Sequence, residues 1–191
     1  MNKVLVTLLL FLSFASRAQV SVQTDSMLTD SLVADSVIVE EKPEPLMVDF
    51  PSYKMTFPDT WKVKNGCIET QCTINSPRDT LMNFDTYIES VNLTVNKLNN
   101  TSYTALKYAD YSIGYLPKVV QQFQVLERKN LGRNSYRVTY RGVKNGLRQT
   151  WRQYYYVRSG KVYIVTFSAE TRKYELYQPM IEPYLDSFTF K

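Results

Sequence analysis

The sequence predicts an α+β domain, and three observations along the chain lead to this prediction. Three consecutive segments read as strands joined by two-residue turns, which is typical of an antiparallel meander. One segment before them has apolar residues at helical spacing, and a second helical segment follows them. All 15 tyrosines and both tryptophans lie between residues 50 and 191, a stretch long enough to enclose a hydrophobic core.

The elements predicted before the meander are four strands and one helix. The strands are expected at residues 52–57, 73–75, 89–98 and 123–129, from apolar alternation bounded by turn residues. The helix is expected to begin at an N-cap within residues 99–102 and to continue to about Leu116, before Pro117.

The meander comprises strands at residues 135–143, 147–157 and 162–169. Asn145-Gly146 and Ser159-Gly160 supply the two turns, because both dipeptides tolerate the positive φ of a tight hairpin. If Asn145-Gly146 is a two-residue turn, Tyr140 faces Trp151 across the hairpin. A helix at residues 171–186, interrupted by Pro179 and Pro183, is expected to lead into the closing Ser187-Phe188-Thr189-Phe190.

Residues 1–18 have the layout of a secretory signal peptide. Lys3 precedes an apolar run of 11 residues, and Ser16 and Ala18 occupy the small-residue positions of a cleavage site. The run is shorter than the roughly 20 residues that span a bilayer. We therefore expect an exported protein, periplasmic or extracellular, that does not span a membrane.

Residues 19–49 are predicted to be a flexible acidic tether, since they contain seven acids, one base and no aromatic residue. Lys42-Pro43-Glu44-Pro45 marks its end, and residues 50–191 form one domain. This domain has 20 basic and 11 acidic residues, a net charge of about +9.

Cys67 and Cys72 are the only cysteines, and they are predicted to form a disulfide because export favours oxidation. Two thiols alone cannot fill a structural zinc site, and in a chain without histidine the other ligands would have to be carboxylates. No metal or cofactor is expected. Two geometries remain open. On one strand after the Asn65-Gly66 turn, the thiols would lie about 16 Å apart and could not bond. At the neck of a four-residue loop, they would face each other.

The order of several short motifs resembles the PsbP-like superfamily. The motifs are Phe57-Pro58-x-x-Trp61, Ser76-Pro77, the Val91–Val95 strand with the helix after it, the Gly132 turn, VYIVTFSA at 162–169 and the final Ser187-Phe188. The resemblance implies an antiparallel β-sheet flanked by helices, as an α/β/α sandwich. It also implies a non-enzymatic domain that binds proteins and sometimes assists the assembly of membrane complexes.

A cluster of arginines is the candidate binding site. Residues 128–161 contain ten bases and no acid, and period-two geometry gathers four arginines on one face of the predicted hairpin. These are Arg137, Arg141, Arg148 and Arg152. Either this face is an ordinary solvated surface, or it binds an acidic protein, anionic lipid head groups, an acidic glycan or the chain's own acidic tether. Nucleic acid is not expected as a partner of an exported protein.

The absence of histidine excludes Ser-His and Cys-His nucleophile arrangements. A hydrolase would need a carboxylate pair, for which Asp85 with Glu89 or Glu170 with Glu175 are candidates. A carrier of an apolar small ligand is a further alternative. The sequence therefore favours an exported, non-catalytic accessory domain with a protein partner.

Overall fold

The computed structural model describes residues 44–78, 87–99 and 102–191 of the chain. Within these ranges the chain forms ten strands and two α-helices. The strands are β1 (Leu46–Asp49), β2 (Tyr53–Phe57), β3 (Lys62–Val63), β4 (Gln71–Asn75), β5 (Ser90–Lys97), β6 (Gln121–Gly132), β7 (Ser135–Lys144), β8 (Leu147–Arg158), β9 (Lys161–Glu170) and β10 (Thr189–Phe190). The helices are α1 (Ala105–Tyr115) and α2 (Tyr174–Leu185), and a 3-10 turn, Leu116–Lys118, follows α1.

A seven-stranded antiparallel sheet forms the centre of the fold, in the order β3-β4-β5-β9-β8-β7-β6. The predicted meander is confirmed as β7, β8 and β9. Its first turn has positive φ at both Asn145 and Gly146, which is the conformation that a tight hairpin requires. Tyr140 faces Trp151, as predicted.

Helix α1 covers the β7–β8 end of one face of this sheet. Ala105, Ala109 and Ile113 recur at four-residue spacing and pack on a core that includes Tyr140 and Trp151. The helix begins later than predicted. Thr104, and not a residue within 99–102, is the N-cap, and its hydroxyl accepts a hydrogen bond from the Lys107 N–H at 3.2 Å.

The opposite face is covered by α2 and by a second antiparallel sheet, ordered β1-β2-β10. Alternating residues of β2 point into this core, where Tyr53 stacks on Phe188 with ring centroids 5.5 Å apart. The two sheets and two helices confirm the α+β class and the helix-flanked sheet. Helix α2 accommodates both of the prolines that were predicted to interrupt it.

Strand β1 corrects the predicted boundary between tether and domain. Its residues were assigned to the tether, but Leu46 pairs with Phe57 and Asp49 with Lys54 in the second sheet. Only Val48 of the four is buried. The strand contains no aromatic residue, so its composition did not distinguish it from the acidic segment before it. Residues 1–43, which include the predicted signal peptide, lie outside the described residues.

The two cysteines form a disulfide, with their Cα atoms 4.4 Å apart. Residues 68–71 form the loop between them, closed by a bridge from Ile68 to Gln71, so the four-residue loop is the correct alternative. The strand predicted at residues 73–75 begins two residues earlier, at Gln71.

Removing this disulfide is expected to lower the free energy of unfolding by about 2 kcal/mol, because the closed loop is short. Thermal unfolding of the native and the reduced, alkylated protein measures the change. Mass spectrometry of the unreduced protein provides the control. Two thiols that are freely alkylated before reduction would contradict the bond.

Candidate anion-binding site

The predicted face of arginines exists, and the strand register creates it. Arg137 and Arg141 alternate with Thr139 along β7, and Thr139 lies opposite Arg152 on β8. Arg148 lies two residues before Thr150 on the same side of β8. All four guanidinium groups therefore belong to one face of the sheet, opposite the core that α1 covers.

Two of the four arginines are buried, which corrects the expectation that all four would project as a binding surface. Arg137 and Arg152 are each 8 % exposed. Glu182, on α2, accepts from both, at 3.2 Å from Arg137 Nη1 and 2.6 Å from Arg152 Nη1. The helix that packs here supplies the acid that neutralises them, because an unpaired buried charge is costly.

A second acid completes this ion-pair network. Glu127 on β6 lies 3.0 Å from Arg137 Nη2 and 3.9 Å from Arg152 Nη2, and it also accepts from the Thr139 hydroxyl. Burial alone would raise the pKa of Glu127, but hydrogen bonds and charge from Arg137 hold that pKa below its usual value. Two arginines thus face two glutamates, and this half of the predicted site joins α2 to the sheet.

Arg141 and Arg148 are different, because both are exposed. Neither forms an ion pair with an acid in the part of the chain that the structure describes. They line a pocket of about 270 Å³ together with Gln122, Gln124 and Thr171. The Gln124 side-chain oxygen accepts from Arg141 Nε at 2.9 Å, which leaves the two terminal nitrogens to donate elsewhere.

A β-bulge in β6 builds one wall of this pocket. Gln121 pairs with Val143 and Gln124 with Arg141, so two residues of β6 lie opposite Gly142 alone. Gln122 has φ of +50° in this bulge, a conformation that a non-glycine side chain rarely adopts. The bulge places both glutamines beside the exposed guanidinium groups. Five polar side chains, two of them cationic, make the pocket suitable for an anion.

Known proteins resemble this chain in structure but not detectably in sequence. No family model matches the sequence, and no curated protein matches it significantly. Cyanobacterial PsbP (CyanoP) from Synechocystis aligns over 80 % of this chain and 96 % of its own, with 11 % identity and a TM-score of 0.53. The chain has a PsbP-like fold. LpqN, described as involved in cell envelope biogenesis of Mycobacterium tuberculosis, aligns over 80 % of this chain and 87 % of its own, with 15 % identity and a TM-score of 0.54.

A Pseudomonas aeruginosa protein of unknown function is similar as well, with 12 % identity over 74 % of this chain and 93 % of its own, and a TM-score of 0.53. At these low identities, the structural similarity shows the fold alone and identifies no ligand. None of the three descriptions names an enzymatic activity. Over the residues that the structure describes, neither helix of the PsbP-like domain is long and apolar enough to cross a membrane.

The two carboxylate pairs considered for a hydrolase do not form a described site. Asp85 lies outside the described residues, and its predicted partner Glu89 is 1 % exposed. Glu170 is engaged by Arg172, whose Nε lies 2.7 Å from its carboxylate. Glu175 is exposed at the start of α2.

Sequence reasoning missed Glu127 and Glu182 as partners of the buried arginines. Glu127 immediately precedes the acid-free stretch, and Glu182 lies on the helix that was expected to flank the sheet. The acids of that helix were the available signal, because a helix packed over buried guanidinium groups must supply their counter-charges.

Proposed function

We propose that the chain is an exported, non-catalytic accessory domain that binds an acidic partner protein through Arg141 and Arg148. The observation that carries this proposal is the division within the arginine face. Two guanidinium groups are neutralised by glutamates of the fold, whereas the two beside the pocket are exposed and have no acidic counterpart among the described residues. Positive charge in that position favours an anionic group from outside.

The pocket suits a carboxylate in particular. A guanidinium group can donate two parallel hydrogen bonds to the two oxygens of a carboxylate, and its terminal edge is free in Arg141. The bond from Arg141 Nε to Gln124 restricts the rotation of this side chain, which lowers the entropy that binding must remove. Thr171, whose hydroxyl lies 3.1 Å from that of Thr150, adds a polar group at the rim.

Export, the PsbP-like fold and the absence of histidine support the wider role. The signal-peptide pattern predicts a protein outside the cytoplasm, and LpqN, which shares the fold, is described as involved in cell envelope biogenesis. The domain therefore assists the assembly or maintenance of an envelope complex. A carrier of apolar ligands has less support, because the pocket beside Arg141 and Arg148 is lined mainly by polar side chains.

Replacing Arg141 and Arg148 with glutamate is expected to abolish partner binding while the fold is retained. Cross-linking and affinity capture from the envelope of the producing cells, followed by quantitative mass spectrometry, would compare the variant with the wild type. Binding by the wild-type chain should also weaken from 50 to 500 mM salt, since exposed charges are screened beyond about 8 Å at physiological ionic strength.

Lys129→Glu with Arg133→Glu is the matched control, because it makes the same change of charge at the other end of the β6–β7 hairpin. This control should keep the partners of the wild type. Equal loss in both variants would assign binding to net charge and not to the pocket. Anionic vesicles or an acidic polysaccharide that compete equally well with the protein partner would identify a different class of ligand.

A further inference from the structure

A second, larger concavity lies on the other face of the seven-stranded sheet, beyond the end that α1 covers. Its volume is about 920 Å³, within the range of ligand-binding clefts. The disulfide-closed hairpin, with Cys67 and Ile68, forms one wall, and the β7–β8 turn, with Lys144 and Asn145, forms another. Strands β4, β5, β9 and β8 form the floor between them. We call this concavity the polar groove.

The floor of the polar groove is a connected row of hydroxyl and amide groups. Thr73 Oγ1 donates to Asn92 Oδ1 at 2.8 Å, and Asn92 Nδ2 donates to Ser90 Oγ at 3.5 Å. Ser90 Oγ lies 3.0 Å from Ser168 Oγ on the neighbouring strand. The four side chains therefore hold one another in place before a ligand arrives, and each still has unused donor or acceptor capacity.

Hydrogen bonds also hold the side chain of Gln149 in place, where β8 borders the groove. Gln149 is buried, and its side-chain oxygen accepts from the Tyr87 hydroxyl at 3.0 Å. Its Nε2 donates to the backbone oxygen of Lys144 at 3.2 Å. Among the described residues that line the groove, none is acidic, and Lys64 and Lys144 are the charged ones.

An open sheet face can be polar simply because it meets water. The polar groove has three further properties: it is concave, a covalently closed hairpin forms one wall, and its polar side chains are bonded to one another and not only to solvent. Preorganised polar groups in a concave site are characteristic of ligand recognition, because little ordering is left to be done on binding.

We propose that the polar groove binds a neutral, hydroxyl-rich saccharide. A sugar hydroxyl both donates and accepts, as do the serine, threonine and amide groups of the floor. An extended peptide fits less well, because it gains most from an unpaired strand edge, and the floor strands β5, β9 and β8 each have hydrogen-bonded neighbours on both sides.

Titration of the full-length chain with a panel of neutral tetrasaccharides tests this assignment. The panel contains the glucose, mannose, galactose and N-acetylglucosamine tetramers, and two-dimensional NMR is the readout. At least one member should shift the backbone signals of β4, β5 and residue 168 and the indole signal of Trp151, which lines the groove. Shifts from none of the four at 10 mM, or shifts elsewhere only, would overturn the proposal.

The variant Thr73→Val with Asn92→Ala removes two floor groups and should weaken binding at least tenfold, because both groups would hydrogen-bond the sugar. Thr94→Val with Asn96→Ala is its control, because these residues follow on the same side of β5 but do not line the groove. Unchanged affinity in the first variant, or equal loss in both, would contradict the site.

Binding of an unstructured neutral peptide in place of every sugar would also overturn it. Arg141→Glu should leave sugar binding intact, so this experiment is independent of the proposed function.

Discussion

Replacing Glu182 with alanine is expected to lower the free energy of unfolding by roughly 3 kcal/mol. Glu182 is the acid that bridges both buried arginines, at 3.2 Å from Arg137 and 2.6 Å from Arg152. Without it, Arg137 retains Glu127, but Arg152 is left with a carboxylate 3.9 Å away. A buried guanidinium group without a close counter-charge destabilises the folded state more than the intact pair stabilises it.

Denaturant and thermal unfolding measure this effect, which corresponds to a fall of about 6–12 °C in the melting temperature of a domain of this size. Glu175→Ala on the same helix is the control, because Glu175 is exposed and forms no ion pair in the described residues. It should change the free energy of unfolding by less than about 0.5 kcal/mol. Similar losses in the two variants would mean that helix α2, and not the ion-pair network, is the sensitive feature.

Adding Arg152→Met to Glu182→Ala separates the network from general packing damage. The arginine is then no longer an uncompensated charge, so the double variant should recover part of the stability that the single variant lost. Additive losses would show that the two side chains do not depend on each other.

Lowering the pH should weaken the same ion-pair network, because it protonates Glu127. The pKa of Glu127 is lower in the folded state than in the unfolded chain, so its contribution to stability is complete above the unfolded pKa of about 4.3. The contribution is lost as the pH falls through the folded pKa, because protonation then removes the negative charge that faces Arg137.

The sequence predicted the centre of the fold well because local rules determine that region. Asn145-Gly146 specifies a two-residue turn, and the turn fixes which residues face each other along the hairpin. The correct pairing of Tyr140 with Trp151 then places every arginine of the hairpin on a known face. No tertiary information was needed for this step.

The sequence could not predict which arginines remain exposed, because that depends on contacts between distant segments. Glu182 is 45 residues from Arg137 along the chain, and only the packing of α2 brings them together. Strand β1 was missed for a similar reason. Its four residues become a strand by pairing with β2, and their own composition resembles the acidic segment before them. The polar groove likewise required the order of the strands in the sheet.

Substitution of Gly142 is expected to have the second large effect on stability, because the residues at the start of β6 lie so close to this position that no side chain fits. A Cβ atom at this position would lie 2.4 Å from Val120 Cγ1 and 2.7 Å from the backbone oxygen of Gln121. The oxygen belongs to the first residue of β6, where the bulge begins. A valine rotamer could change, but the backbone of the bulge must move to relieve the second contact.

Gly142→Ala is therefore expected to lower the free energy of unfolding by about 2 kcal/mol, the usual effect of forcing a methyl group into a packed site. The same substitution at Gly114, in α1, should have the opposite sign. A Cβ atom there has no neighbour within 4 Å among the described atoms, and alanine favours a helix over glycine by about 0.5–1 kcal/mol. Denaturant unfolding of both variants measures the difference.

Because the bulge places Gln122 and Gln124 beside Arg141, Gly142→Ala should also weaken partner binding, whereas Gly114→Ala should not. A Gly142→Ala variant as stable as the wild type would show that β6 can shift without cost, and the bulge would then not be what positions the pocket.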